Sequence, residues 1–267
     1  MQVPLAHWVA HAVVIAGILG VALALARRLP RLADGLVIGA WAVGCNATSA
    51  PLSYALMRAR VPLRDDELAA FDRAVGLPVP RVRDWLDILP AATWWNLYDL
   101  LVPLLAAGAL LLPLAGRPAR ARATLLAYVG SVALAAPVMA LVHALGPWAV
   151  HGYPAADVQL EYVRELTALK AAGPFPFDTT RITGVVTFPS FHALLAGLAG
   201  WALAPVRGAG PVAVVVATAI VLATVATGWH YVADVVGGLI IAAVAVALAQ
   251  RAEPLWAAAD AGRSHPA

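Results

Sequence analysis

FPSFHALLAGLAGWALAPVRGAGPVAVVVATAIVLATVATGWHYVAD, residues 188–234, is the stretch whose reading decides how this chain folds. Residues 193–206 and 211–227 are almost entirely apolar and are separated by a short turn containing Arg207 and two glycines. His192 stands at the entrance of the first run and His230 at the exit of the second. Two helices rising about 1.5 Å per residue cross a hydrocarbon core of about 30 Å and return. The hairpin therefore brings both histidines to one membrane face. Asp234 follows His230 by one helical turn and so shares its face, within reach of the imidazole.

Composition extends this reading to the whole chain. Of 267 residues, 62% are hydrophobic and 12% charged, and mean hydropathy is +0.80, which excludes a soluble enzyme. Apolar runs at 4–26, 35–57, 93–114, 123–149, 190–206, 211–228 and 232–250 mostly approach the roughly 20 residues that span a bilayer. Hydrocarbon requires each backbone polar group to be paired, and alternating strand patterns are absent, so the expected fold is an all-α polytopic membrane bundle. Six or seven spans are expected. The fifth run is short, and Gly228-Trp229-His230 reads equally as a break or as a kink.

On this reading residues 1–250 form one membrane domain and residues 251–267 a polar, disordered tail. The run at 4–26 lacks a basic leader, is too long for a signal segment and precedes Arg27 and Arg28, so it reads as a retained anchor. Between spans, Leu63 to Arg73 alternates charged and apolar residues at helical spacing, with Asp65 or Asp66 as cap, and Arg81 to Leu89 offers a second short helix. Both are expected to lie at the interface and cover the bundle. Arg27, Arg28, Arg31, Arg117, Arg120, Arg122, Arg207, Arg251 and Arg263 are concentrated in short segments of one side. The other side's basic residues are diluted through 58–92 and 150–189 among most of the acids. That density places the carboxyl terminus in the cytoplasm and both histidines at the extracytoplasmic face of a plasma (inner) membrane. The net charge of +3 and pI near 9.3 come from scattered topology signals without a binding stripe, so nucleic acid is not an expected partner. Cys45 is the only cysteine, which excludes an internal disulfide, a cysteine metal site and a thiol redox pair.

Pro189-Ser190 is a helix-entry signal, with Ser190 as cap and the amides of Phe191 and His192 lacking intrahelical acceptors. Such an end attracts anions. A phosphate placed there would meet the Ser190 hydroxyl, the free amides and His192, with His230 approaching from the neighbouring helix mouth. A histidine backed by a carboxylate is a neutral, aimed nucleophile, and one protonated beside phosphate is a general acid. The set matches stepwise phosphoryl transfer.

Pro189-Ser190-Phe191-His192, followed by His230-Tyr231 with Asp234 and the pair Gly237-Gly238, resembles the phosphatidic acid phosphatase type 2 (PAP2) superfamily. The wording Phe188-Pro189-Ser190-Phe191-His192-Ala193 is similar to its inositol phosphorylceramide synthase-like branch. The resemblance covers about residues 60–250, leaving the first span as an addition. It implies that His230 accepts the phosphoryl group, Asp234 assists it and His192 protonates the leaving oxygen, with no metal or cofactor. The substrate it implies is a membrane lipid phosphate, and the acceptor is water, for a phosphatase, or a small alcohol, for a phosphotransferase. Two positions depart from the usual pattern: Phe191 stands where glycine is common and Thr224 where an arginine precedes the nucleophile. Phosphate charge must then be balanced elsewhere, and Arg164, Lys170 and Arg181, in the segment leading to Ser190, are the candidates. Their other reading is as solvated charges paired with Glu161, Glu165 and Asp178.

Three features stand apart. Asp99 is an acid inside the third run, where an ionisable group is costly unless paired or wetted, and it serves either an acceptor hydroxyl or a helix contact. His7 and His11 share a helical face at a spacing that can hold haem or a divalent metal. The His192, His230 and Asp234 cluster also admits a non-enzymatic role, as the proton relay of a transporter. Gly197, Gly200, Gly237 and Gly238 are expected to serve close helix packing.

Overall fold

A computed structural model of the protein describes residues 1–171, 173–175, 177–178 and 184–256. Among these residues there are twelve helices and no strand. The all-α membrane bundle expected from composition is the observed architecture. The long passes are α1 (Leu5–Leu25), α2 (Pro30–Met57), a broken pass of α5 (Ala91–Tyr98) and α6 (Leu101–Leu114), α7 (Pro118–Leu141), α10 (Phe191–Leu203), α11 (Ala209–Ala226) and α12 (Val232–Gln250). Between them lie α3 (Asp65–Ala74), α4 (Val79–Leu86), α8 (Pro147–Val150) and α9 (Asp157–Lys170). Five of the passes are long and apolar enough to cross a membrane.

The centre of the bundle is α10, packed on α6, α7, α11 and α12. Beyond His192 in its first turn, its residues are apolar all round, the mark of a helix with no solvent face. Leu194, Leu198 and Leu203 are fully buried. Close approach rests on small residues, as expected for Gly197 and Gly200. A Cβ on Gly200 would come within 3.1 Å of the Ala217 Cβ, and one on Gly197 within 3.1 Å of Leu239. Outward positions of α11 and α12, such as Val212, Val215 and Ile240, remain exposed and apolar, as a lipid-facing surface requires.

The junction at residues 227–231 is a break. Gly228 takes a positive φ of 79°, which ends α11, and α12 restarts at Val232. The fourth run also stops earlier than its hydropathy suggests. α7 ends at Leu141, and Gly146, at φ 99°, turns the chain where a Cβ would lie 2.7 Å from the Trp229 carbonyl oxygen. Arg64, not Asp65 or Asp66, holds the cap position of α3. The Asp65 carboxylate instead accepts from the amides of Leu145 and Gly146. Of the polar tail, Glu253 pairs with Arg120 at 3.1 Å, and residues 257–267 lie outside the described set.

His7 has a structural explanation. Pro51 lies inside α2 and has no N–H, so the Ala47 carbonyl one turn earlier loses its helical donor. His7 Nε2 donates to that carbonyl at 2.9 Å across the α1–α2 interface. His11 Nδ1 donates to the His7 carbonyl at 2.8 Å. Replacing His7 by Ala strips the buried carbonyl of its donor, a loss of about 1–3 kcal/mol. Pro51→Ala in that background restores an N–H to Ala47. Unfolding measured in detergent should therefore show the double variant to be more stable than His7→Ala alone.

Candidate active site

The two ends of the membrane hairpin are joined at their backbones. Ser190 caps α10, its Oγ accepting from the Ala193 amide at 3.2 Å, and the Ser190 amide donates to the Asp234 carbonyl at 2.9 Å. A Cβ on Gly238 would overlap the Ser190 carbonyl oxygen, and one on Gly237 would lie 3.1 Å from the Phe188 ring. The glycine pair thus lets α12 pass against the residues that open α10. Ser190 and Asp234 are both completely buried.

His230 sits in the break between α11 and α12, 4% exposed, with its amide donating to the Thr224 carbonyl at 3.2 Å. Its Nδ1 faces Asp234 Oδ2 at 3.3 Å, and the same oxygen accepts from the Tyr231 amide at 2.8 Å. A proton on Nδ1 is thereby directed to the carboxylate, leaving Nε2 with its lone pair free. Burial lowers the imidazole pKa to about 4, against a smaller opposing effect of the Thr187 carbonyl. His230 is therefore neutral near pH 7. His192 is in the first turn of α10, two residues after the Ser190 amide that is bonded to Asp234. Its ring stacks on Tyr98 with centroids 3.9 Å apart and planes 22° apart, and Nδ1 lies 3.0 Å from the tyrosine hydroxyl.

The short helices between the long passes hold this centre in place. Asp72 of α3 accepts from the amides of Val232 and Ala233 at 2.9 and 2.8 Å, capping α12 from another element. The Tyr231 hydroxyl donates to Asp65 at 3.1 Å. From α9, Gln159 donates to the Thr227 carbonyl at 3.1 Å, and the Tyr162 hydroxyl meets both the Ala144 carbonyl and Thr187. The Trp148 amide donates to the Gly228 carbonyl at 3.0 Å. The contacts of Asp65, Asp72, Gln159 and Trp148 restrain the turn that carries His230 and the first residues of α12.

The family model for the PAP2 superfamily matches residues 66–248. The chain belongs to the PAP2 superfamily. No curated protein and no solved structure gives a match. Membership assigns a phosphoesterase-type chemistry in general terms, and the matched segment contains His192, His230 and Asp234 while leaving α1 and α2 outside it.

The remaining candidate residues are dispersed. Phe191 turns toward Tyr128 of α7, with ring centroids 6.5 Å apart. Thr224 donates to the Val221 carbonyl in its own helix at 2.7 Å. Arg164 is at the surface, 71% exposed at its side chain and paired with Glu161 at 2.7 Å. Lys170 Nζ donates to His143 Nδ1 at 2.6 Å and to the Ala59 carbonyl at 3.2 Å. Arg181 lies outside the described residues. Asp99 is exposed at the break between α5 and α6, and it is its neighbour Tyr98 that reaches the site.

Four contributors escaped the sequence reading: Tyr98, Asp65, Asp72 and Arg83. The Arg83 guanidinium lies 3.8 Å over the Tyr153 ring, and its Nη1 is 3.3 Å from where a Cβ on Gly228 would sit. That nitrogen is buried without a hydrogen-bond partner. The period-seven spacing of Asp65 and Asp72 places them on one face of α3, the signal that was available for a double clamp.

Asp72→Ala removes both acceptors from the first turn of α12. Amide exchange at Val232 and Ala233 should accelerate, with a loss of about 1–3 kcal/mol in stability. A second expectation concerns pH. His143 is completely buried, and burial, then the Lys170 charge, lower its pKa from 6.5 to about 4, the Met139 carbonyl opposing. Between those values the unfolded chain binds a proton that the folded protein refuses, so stability is full above pH 6.5 and declines toward pH 4. His143→Gln should flatten this part of the melting-temperature profile relative to the parent protein.

Proposed function

We propose that the protein transfers the phosphoryl group of a membrane lipid phosphoester through a phosphohistidine on His230, at the extracytoplasmic face. The observation that carries this reading is the buried His230–Asp234 pair held at the same helix mouth as His192 and Ser190. In the first step His230 Nε2 attacks phosphorus, the N–P bond forms, and the ester P–O bond breaks. Protonated His192 gives its Nε2 proton to the departing oxygen. In the second step an oxygen nucleophile displaces His230 from phosphorus and yields its proton to His192, restoring both residues. In this reading the Ser190 hydroxyl and the amides of Phe191 and His192, at the start of α10, bind the non-bridging oxygens.

Thr224 supplies no charge where the family usually has arginine. We assign that task to Arg83, whose Nη1 has no hydrogen-bond partner among the described residues and lies beside the turn that carries His230. The Phe188-to-Ala193 wording favours the synthase-like branch, in which the second nucleophile is an alcohol.

Labelled phospholipids incubated with and without inositol or other headgroup alcohols, followed by mass spectrometry of the products, test the reading. From a lipid phosphate monoester, free phosphate marks hydrolysis and a phosphorylated alcohol marks transfer; from a phosphodiester, a phosphomonoester marks hydrolysis and a new phosphodiester marks transfer. His230→Ala should lose at least about 100-fold in turnover, within the range that covalent and acid–base groups contribute. Full activity in that variant would rule out the phosphohistidine. Arg83→Gln should raise KM and weaken inhibition by inorganic phosphate more than it lowers kcat.

A further inference from the structure

We propose that Tyr98 is the positioning residue of His192, fixing which ring nitrogen exchanges the catalytic proton. The inference rests on the proposed role of His192 as leaving-group acid and adds a residue to it. The stacked contact, centroids 3.9 Å and planes 22° apart, fixes the plane of the imidazole, and the hydroxyl at 3.0 Å from Nδ1 occupies that nitrogen. Nε2 is then the nitrogen left for the ester.

The two histidines thus have different partners, and the difference suits different tasks. Asp234 is a carboxylate, which can only accept and which stabilises positive charge on His230. A nucleophilic imidazole needs this, because attack on phosphorus leaves the ring cationic. Tyr98 is a neutral phenol. Its oxygen can accept from Nδ1–H of His192 and hold the tautomer without stabilising the imidazolium as strongly as a carboxylate would. An acid that must release its proton in one step and recover it in the next needs that weaker partner. Through the cycle the proton on Nδ1 stays directed at Tyr98 while Nε2 loses a proton to the ester oxygen and regains one from the incoming nucleophile.

The fold places this hydroxyl deliberately in the local sense that α5 stops at Tyr98 and the pass resumes only at Leu101. Continuation of a single helix through residues 99 and 100 would alter the approach of the ring to α10.

Tyr98→Phe keeps a ring for the stack and removes the oxygen. Turnover should be compared on a lipid phosphate, whose alkoxide leaving group requires protonation, and on p-nitrophenyl phosphate, whose leaving group does not. The expected result is a loss of about 10- to 100-fold on the lipid and less than about threefold on the aryl ester. His192→Ala should show the same selectivity with a larger loss. If His192→Ala is selective and Tyr98→Phe is not, the Tyr98 assignment falls alone. If His192→Ala loses both substrates equally, or neither, the acid role of His192 falls, and the Tyr98 assignment with it. Retained aryl turnover reports that the variant is folded. Should Tyr98→Phe not fold, nitrogen-15 spectra of histidine in the parent protein, recorded at a pH high enough for His192 to have lost its exchangeable proton, decide: the neutral ring protonated on Nδ1 is expected, and one protonated on Nε2 overturns the assignment.

Discussion

One backbone hydrogen bond organises the site: the amide of Ser190 to the carbonyl of Asp234. It ties the start of α10 to the first turn of α12, and it can form only because Gly238 leaves room for the Ser190 carbonyl. Everything chemical is arranged around that junction. Ser190 caps one helix, Asp234 faces the histidine that precedes the other, and the histidines stand on either side. In an apolar interior a polar group without a partner is costly, so a junction made of helix ends is a natural place for polar chemistry, since helix ends already hold unpaired amides. The bundle brings two such ends together at one depth.

Membrane passes alone do not hold this geometry. The turn that carries His230 is restrained by α3 through Asp65 and Asp72, by α8 through Trp148 and by α9 through Gln159. Of these elements α3 and α9 belong to the polar segments between spans, the least hydrophobic parts of the chain. Their role goes beyond an amphipathic cover: buried carboxylates on α3 reach into the bundle and terminate α12. A helix that must begin abruptly at a reacting residue has orphan amides at its first positions, and here a side chain from a distant part of the sequence satisfies two of them.

What could be read from the sequence divides along contact order. The bundle was legible because hydropathy is a sum over adjacent residues. His192, His230 and Asp234 were legible because the hairpin and the single helical turn fix their relation locally. Ser190 as a cap was legible from Pro189-Ser190 preceding an apolar run. Tyr98 and Arg83 were not, because nothing local distinguishes a tyrosine that meets a histidine 94 residues away from one at the lipid interface. The cost of charge in a membrane singles out Asp99, yet it is the neighbouring Tyr98 that reaches His192, while Asp99 lies at the break between α5 and α6. His7 shows the same limit. Its spacing from His11 admitted a metal, whereas the deciding fact is a proline in the facing helix that leaves a carbonyl open.

The electrostatics of the pair follow from burial. Asp234 is fully enclosed, with Oδ2 shared between the Tyr231 amide and His230, and Oδ1 has no hydrogen-bond partner among the described residues. A buried carboxylate satisfied on one side is poorly stabilised while its histidine neighbour is neutral, and burial keeps that histidine neutral. On the proposed mechanism the imbalance is removed when His230 takes the phosphoryl group, because the ring then carries positive charge directly beside the carboxylate. The same low polarity that penalises the resting pair strengthens the attraction in the intermediate. An interaction stronger after attack than before it lowers the barrier to the attack, so burial of Asp234 favours reaction more than it favours binding.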